Sequence, residues 1–299
     1  MSELSYVVSV SSSLPGADER GLLPPSWVGS LLGRSARQGF SFASVRIRDA
    51  RGLDRAALRE ATADAYRRIR DELHGRAPHP VRLWNHIPGI HEPMGDGQDR
   101  YRVFNAGRFE ALSEWLGGQE SFDTRVASAS GIGHDGRDLV IHCLAADRPG
   151  QAVANPRQTA PYRYSHKYGP LPPCFARATV IRPPDDQPLA LVGGTASIVG
   201  EESVHLGDLA RQTDETLANL AVLLLAAAGE PAMEATDRAA VLARYRDVRV
   251  YYPDPERLDE LRLLLKDAFP RAGQVEWVPA GLCRPELLIE IEGVAELRR

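Results

Sequence analysis

The sequence predicts an α+β protein of two halves, each a mixed sheet with two helices packed on one face. The order strand, strand, long helix, strand, shorter helix, strand, strand occurs twice along the chain. Two long segments, 55–74 and 209–228, each carry one apolar stripe at helical spacing. The residues of the two halves are barely similar, so the repeat is one of element order. The boundaries fall at 1–150 for an N-terminal half, 151–169 for a connecting segment and 170–299 for a C-terminal half.

The first half opens with an alternating, valine-rich strand over Ser5–Ser11. Leu14–Arg37 is a connection rich in Pro, Gly and Ser, with a short helix around Trp27–Leu32. Phe40–Arg48 is a second strand. Asp54 is a good N-cap for a helix from Arg55 to His74, whose stripe is Leu58, Ala61, Ala65, Ile69 and Leu73. Pro80–Ile87 is a strand and Tyr101–Leu116 a helix. Strands over Asp123–Ser130 and Asp138–Ala145 follow, separated by Gly131, Gly133 and Gly136.

In the second half, Cys174–Ile181 and Leu189–Val199 are strands around the turn Pro183–Asp186. Asp208 caps a helix to Ala228 with Leu209, Leu217, Leu220 and Leu224 on its stripe. Val248–Tyr252 is a strand, Asp254 and Pro255 open a helix to Phe269, and Val275–Val278 is a strand. In the last strand, Leu287–Glu292, alternation puts Leu287, Ile289 and Ile291 on a core face. Leu288, Glu290 and Glu292 share the other. Glu290 there is either a partly wetted residue or an acid tuned by its surroundings.

Composition narrows the function. A net charge of −4 gives no bulk support for nucleic-acid or anionic-membrane binding. Only Lys167 and Lys266 are lysines, so nearly all positive charge is arginine, whose forked donors suit planar anions. Cys143, Cys174 and Cys283 make neither a disulfide framework nor a metal spacing. The longest apolar run, Leu220–Ala228, is too short to span a bilayer, and no signal peptide is visible. The expected location is the cytoplasm.

The connection Asn155–Pro170 has no helical or strand period, yet it sets Arg157, Arg163, His166 and Lys167 among Tyr162, Tyr164 and Tyr168. It is either an ordered seat for a small carboxylate or a loop whose tyrosines pack on the surface. Gly193 and Gly194 sit inside a strand pattern, where glycine marks a bulge or room for a ligand. Asn85 and His86 end a strand, and either reach a pocket or satisfy backbone groups. The arginines of Arg100–Arg108 are surface residues or anion ligands. Glu201, Glu202, His205 and Asp208 are explained by a solvated turn and a helix cap, so no metal site is expected. Neither a nucleophile elbow nor a Rossmann fingerprint is present.

Taken together, several segments resemble the chorismatase family: Trp84-Asn85, Arg100–Asn105, Asn155–Gln158, Tyr168–Pro170, Phe175–Ala178, Gly194–Gly200 and Leu288–Glu292. The last also resembles the C-terminal strand of the RidA/YjgF family, whose chorismate-mutase-like fold chorismatases share. The resemblance implies two RidA/YjgF-like domains and an enzyme of secondary metabolism that cleaves chorismate without a cofactor. It places the family's acid on Glu290, which would protonate the enolpyruvyl methylene. Such an acid must keep its proton at neutral pH, which a dry site favours. The substrate's two carboxylates need partners, for which Arg157, Tyr162, Arg163, Tyr168 and Arg177 are the candidates.

The family divides by product. One branch gives pyruvate and a dihydroxycyclohexadiene carboxylate, and the other pyruvate and 3-hydroxybenzoate by an intramolecular route. The resemblance associates the second with a cysteine seven residues before the acid and a glycine in the Gly-Thr-Ala-Ser segment. Cys283 and Gly194 hold those positions, so 3-hydroxybenzoate is the expected product. Two other readings stay open: a RidA-like imine hydrolase, against which Val275 stands where that family has an arginine, and a non-catalytic binder of an aromatic acid. The chain is expected to act as a monomer with internal pseudo-symmetry or as a homo-oligomer, with no nucleic-acid or membrane partner.

Overall fold

The computed structural model describes residues 5–11, 22–33, 39–183, 187–231 and 238–297. The first sheet contains β1 (Tyr6–Ser11), β2 (Phe40–Ile47), β3 (His79–Pro88), β4 (Ser128–His134) and β5 (Leu139–Ala146). The second contains β6 (Gln151–Val153), β7 (Ala178–Ile181), β8 (Leu189–Ala196), β11 (Tyr245–Tyr252), β12 (Gln274–Pro279) and β13 (Glu290–Glu296). β9 (Ile198–Val199) and β10 (Glu202–Ser203) make a two-stranded hairpin. Helices α1 (Trp27–Gly33), α2 (Arg55–Leu73), α3 (Arg100–Leu116), α4 (Phe122–Arg125), α5 (Leu209–Ala228), α6 (Arg238–Leu242) and α7 (Leu258–Leu265) complete the order.

The repeat read from element order extends to topology. The first sheet runs β1-β2-β5-β3-β4, and the second runs β12-β11-β13-β8-β7-β6. Read from β7, the second sheet is β7-β8-β13-β11-β12, the same pattern with β6 added outside. In each, one pair is parallel: β3 with β4 and β11 with β12. β6 lies within the segment expected only to connect the halves, and pairs with β7.

The sheets lie face to face, with helices on the outside. Period-two alternation decides which side chains go where. On β3, Leu83 and Ile87 join the core under α2 and α3, whereas Trp84 points between the sheets. Trp84 meets Trp27, Leu144, Leu191 and Val294 there. Under α5 and α7 the second core includes Leu220, Leu224, Val248, Ile289 and Ile291. Leu58, Ile69, Leu217 and Leu224 are buried, as the helical stripes require. Asp54, Asp99 and Asp208 cap α2, α3 and α5 by accepting from a backbone N–H three residues on.

Gly107 sets the spacing of α2 and α3. A Cβ there would lie 2.2 Å from the Arg59 carbonyl oxygen and 2.9 Å from Thr62 Cβ. Gly107→Ala must push two packed helices apart, and we expect it to lower the unfolding free energy by about 2–3 kcal/mol, read by urea denaturation. An unchanged midpoint would show that the contact yields freely.

Several elements differ from expectation. In the span expected as a strand from Asp123, α4 takes the first residues and β4 starts at Ser128. β4 continues through Gly131 and Gly133, which read as breakers. They are strand positions of close approach: a Cβ would lie 3.0 Å from the Tyr101 ring at Gly131 and 2.4 Å from Ile90 at Gly133. β7 begins at Ala178 rather than Cys174. The last strand begins at Glu290 rather than Leu287. Before it, the Leu288 N–H donates to the Gln212 side chain at 2.8 Å instead of a ladder partner. The alternation is therefore broken there: Leu287 packs between the sheets with Tyr251 and Ile132, and Leu288 on the helix side. The expected connection 14–37 and turn 183–186 fall partly outside the described residues.

Candidate active site

The edge strand β4 of the first sheet lies against β8 and β7 of the second. Ser128 Oγ donates to the Leu191 carbonyl at 2.8 Å, and the Ala176 N–H to the Ala127 carbonyl at 3.0 Å. Further along, Gly133 and Gly281 exchange backbone hydrogen bonds of 2.7 and 3.1 Å. Beside this seam is a cavity of about 490 Å³. Its walls come from α3, β4, the connection before β7, β8, the β9–β10 hairpin and the segment Cys283–Glu290.

Glu290 is at the base of the cavity and only 3% exposed. It sits on β13, between β11 and β8, with Tyr251 and Ala196 as its neighbours in the ladder. The wetted reading is thereby excluded. Burial first, and the charge of Glu292 second, push the Glu290 carboxyl up to about 8. Arg82, Arg177 and a hydrogen bond from Cys283 act in the opposite direction.

Gly194 makes room for that carboxyl. A Cβ on Gly194 would stand 1.9 Å from Glu290 Oε1. A bulge forms here as well: Val192 and Thr195 face Gly293 and Ile291, so Gly193 and Gly194 together oppose Glu292. The bulge reading of the glycine pair holds, and the space at Gly194 is taken by the acid itself rather than left for a ligand. Gly193 lets the sheets touch, since its Cβ would lie 2.8 Å from the Ala129 carbonyl oxygen. Cys283 also lines the cavity, and burial followed by the Glu290 charge pushes its thiol up to about 12. It is therefore a thiol at neutral pH.

Three guanidiniums converge on the same space: Arg108 from α3, Arg177 before β7 and Arg284 beside Cys283. All are buried, at 1%, 3% and 9% exposure. None has a carboxylate within ion-pair distance among the described residues. Arg108 donates to Asn105 Oδ1 at 2.7 Å, Arg177 to the Tyr164 hydroxyl at 2.6 Å and Arg284 to Ser203 Oγ at 2.9 Å. The Nε atoms of Arg108 and Arg177 are buried without a hydrogen-bond partner. Arg284 stacks on Tyr168, 4.1 Å from its ring centroid. Buried charge without counter-charge is costly. An anion of matching size would relieve that cost.

The sequence-predicted residues divide. Glu290, Cys283, Gly194, Arg177 and Tyr168 line the cavity. Arg157, Tyr162 and Arg163 do not. Arg157 is ion-paired with Glu215, while Tyr162 and Arg163 are both bound to Asp123 on α4. The connection winds over the surface, so its residues alternate between the cavity and the outer side. Tyr164 and Lys167 from the same segment do reach the cavity, as do Tyr101, Arg108 and Arg284. Arg108 had been weighed as an anion ligand and Tyr164 as part of a carboxylate seat in the connection, whereas Arg284 had no signal beyond its neighbour Cys283. Asn85 is spent on Tyr66 and the Ser130 carbonyl, and His86 packs on His142, both away from the cavity.

Residues 31–145 match the family described as chorismatase FkbO/Hyg5-like, N-terminal. A chorismatase of Streptomyces rapamycinicus is 36% identical over 239 residues, covering 78% of this chain and 69% of its own. A 3-hydroxybenzoate synthase of Streptomyces hygroscopicus is 34% identical, over 71% of this chain and 62% of its own. A solved crystal structure of a chorismatase aligns with 86% of this chain and 77% of its own, at 29% identity and a TM-score of 0.72. The chain thus spans between 60% and 69% of the length of the curated relatives it matches.

Proposed function

The chain belongs to the chorismatase family, and we propose that it cleaves chorismate to pyruvate and 3-hydroxybenzoate. The observation that carries this reading is the pairing of a buried, proton-retaining Glu290 with three guanidiniums that have no carboxylate partner among the described residues. Chorismate brings two carboxylates and an acid-labile enol ether, which suits both.

The mechanism follows from the groups present. Arg108, Arg177 and Arg284 hold the two carboxylates, with Tyr164 and Tyr168 orienting Arg177 and Arg284. Glu290 gives its proton to the enolpyruvyl methylene, forming an oxocarbenium ion, and the bond between ring carbon and ether oxygen then breaks. The neighbouring ring hydroxyl oxygen displaces the pyruvate and closes an epoxide. The bond from that oxygen to its original ring carbon then breaks, and the hydroxyl proton stays on the oxygen as the phenol's. Aromatisation releases a ring proton, which returns to the Glu290 carboxylate. No water is consumed, and the products together contain the atoms of chorismate. Cys283, uncharged and beside the acid, lines the same cavity and supports this product branch. The position of Gly194 supports the same branch. Both walls of the cavity come from one chain, so we propose that a monomer suffices for turnover.

The test is incubation of the protein with chorismate, without added metal or cofactor, followed by chromatography. Equal amounts of pyruvate and 3-hydroxybenzoate are expected. Pyruvate with the cyclohexadiene diol would keep the activity and overturn the product. Saturable binding without pyruvate would overturn catalysis and leave a binding protein.

Arg177→Met tests the anion sites. A buried charge-assisted hydrogen bond is worth about 1.5–3 kcal/mol, so kcat/KM is expected to fall by about 10- to 200-fold. The fall should appear mainly in KM if Arg177 holds substrate and transition state alike. The exterior Arg163→Met should leave steady-state kinetics unchanged. Equal effects of the two variants would undo the assignment of the cavity.

A further inference from the structure

Two carboxylates are buried one pleat apart on β13. Glu290 and Glu292 are 3% and 0% exposed and share the face turned toward the first sheet. The hydrogen bonds of the pair fall on one member. Glu292 accepts from Arg82 at 2.6 Å, from the Trp84 indole N–H at 2.9 Å, and from Ser130 Oγ. Arg82 is itself fully buried, donates to Ser130 Oγ at 2.6 Å and to the Leu83 carbonyl at 2.9 Å, and lies over the Trp84 ring at 4.8 Å. All three donors come from the first sheet, β3 and β4, and reach across to the second. The network borders the acid directly. The point where a Gly194 Cβ would stand is 1.9 Å from Glu290 Oε1 and 3.2 Å from Ser130 Oγ.

The other groups facing Glu290 do not supply a full counter-charge by contact. Cys283 precedes it in the chain, Tyr101 approaches from α3, Arg177 from the lead into β7, and Tyr251 is its ladder partner on β11. Among these Arg177 is the one cation, and its forks point to Tyr164 and Thr159. Two buried carboxylates on one strand face disfavour each other's charge. With every strong donor on Glu292, the one to stay protonated is Glu290.

We infer that Glu292, ion-paired to Arg82 and fixed by Ser130 and Trp84, is a positioning residue that keeps the proton of the pair on Glu290. This role rests on the reading of Glu290 as the acid. The inter-sheet network is then both the clasp between the halves and the device that arms the catalytic group.

The test separates the two ideas. The titration window of Glu290 is read without substrate, from the difference in unfolding free energy between the parent and Glu290→Gln across pH. It is then read again with both proteins carrying Glu292→Gln. That substitution removes a like charge and leaves Arg82 uncompensated, and both changes favour the ionised acid. The upper end of the window is expected to move down by at least about one pH unit, and the alkaline limb of kcat with it. The pair Arg82→Gln with Glu292→Gln removes both charges together. It should move the window the same way but less, and it decides the matter alone if the single variant fails to fold. A window that stays in place in every variant that folds would overturn the role of Glu292. A window that moves in a protein without chorismate turnover would retain that role and overturn the proposed function.

Discussion

Glu290→Gln is expected to abolish chorismate turnover, with kcat lowered at least about 10³-fold, while the fold becomes more stable. General acids contribute about 10²–10⁴ to rate, and a glutamine amide keeps the shape but cannot give up the proton. The stability gain follows from linkage. The folded-state carboxyl titrates near 8, against an ordinary 4.5, so the native state binds the extra proton between those values. Folding stability therefore falls as pH rises from about 4.5 to about 8, by roughly 1.4 kcal/mol per pH unit at most. The variant lacks this dependence. At pH 5 the two proteins should melt alike, and by pH 8 the variant should be ahead by a few kcal/mol. The parent's kcat should decline above about pH 8 as the acid loses its proton. A variant that stays active would refute the assignment of the acid. One that melts like the parent at every pH would refute the raised titration.

Gly194→Ala is expected to cost about 10²-fold in 3-hydroxybenzoate formation while leaving the fold nearly as stable. The new methyl group would overlap Glu290 Oε1, at 1.9 Å, and the oxygen is the free end of a flexible side chain. The carboxyl yields, not the strand, so the acid leaves the position from which it meets the substrate, and a displacement of this size costs rate steeply. The residual turnover should shift toward the diol. The adjacent Gly193→Ala gives the contrast. Its methyl group would meet the Ala129 backbone, so it should separate the sheets and lower stability. Parallel kinetics and thermal melts of both variants check the distinction. Full activity of Gly194→Ala would show that the acid has room to spare.

The architecture was legible because its signals are local. Caps at Asp54 and Asp208, the stripes through Leu58 and Leu224, and alternation around Ile291 all act within a few residues. The errors have causes distant in sequence. Gly131 and Gly133 look like breakers until Tyr101 and Ile90 are placed against them. The start of β13 was misread because Gln212, far away in sequence, takes the Leu288 N–H. The site was legible where chemistry and position coincide, as at Glu290. It was not legible in the connection, because Arg157 and Arg163 differ from Arg177 only in whether an acidic neighbour, Glu215 or Asp123, comes within reach. Charge pairing across the fold is a property of three dimensions, and composition cannot rank one arginine over another.

The shared strand order of the two sheets has a consequence for where a cavity can open. Two facing copies of one layout offer two edges at which a cavity can form. One edge, β4 against β8, holds the acid. At the opposite edge the chain inserts residues 22–33: the Leu22 carbonyl is bound to His142, the Leu23 carbonyl to Arg249, and Ser26 to Glu276 of β12. Trp27 and Val28 fill the remaining space beside Phe40 and Phe42. The layout is thus repeated and its use is not: one of the two equivalent edges borders the cavity with the acid, and the other is filled by residues 22–33 of the same chain. The first half contributes Arg108, Tyr101 and the Arg82, Trp84 and Ser130 clasp, and the second contributes the acid.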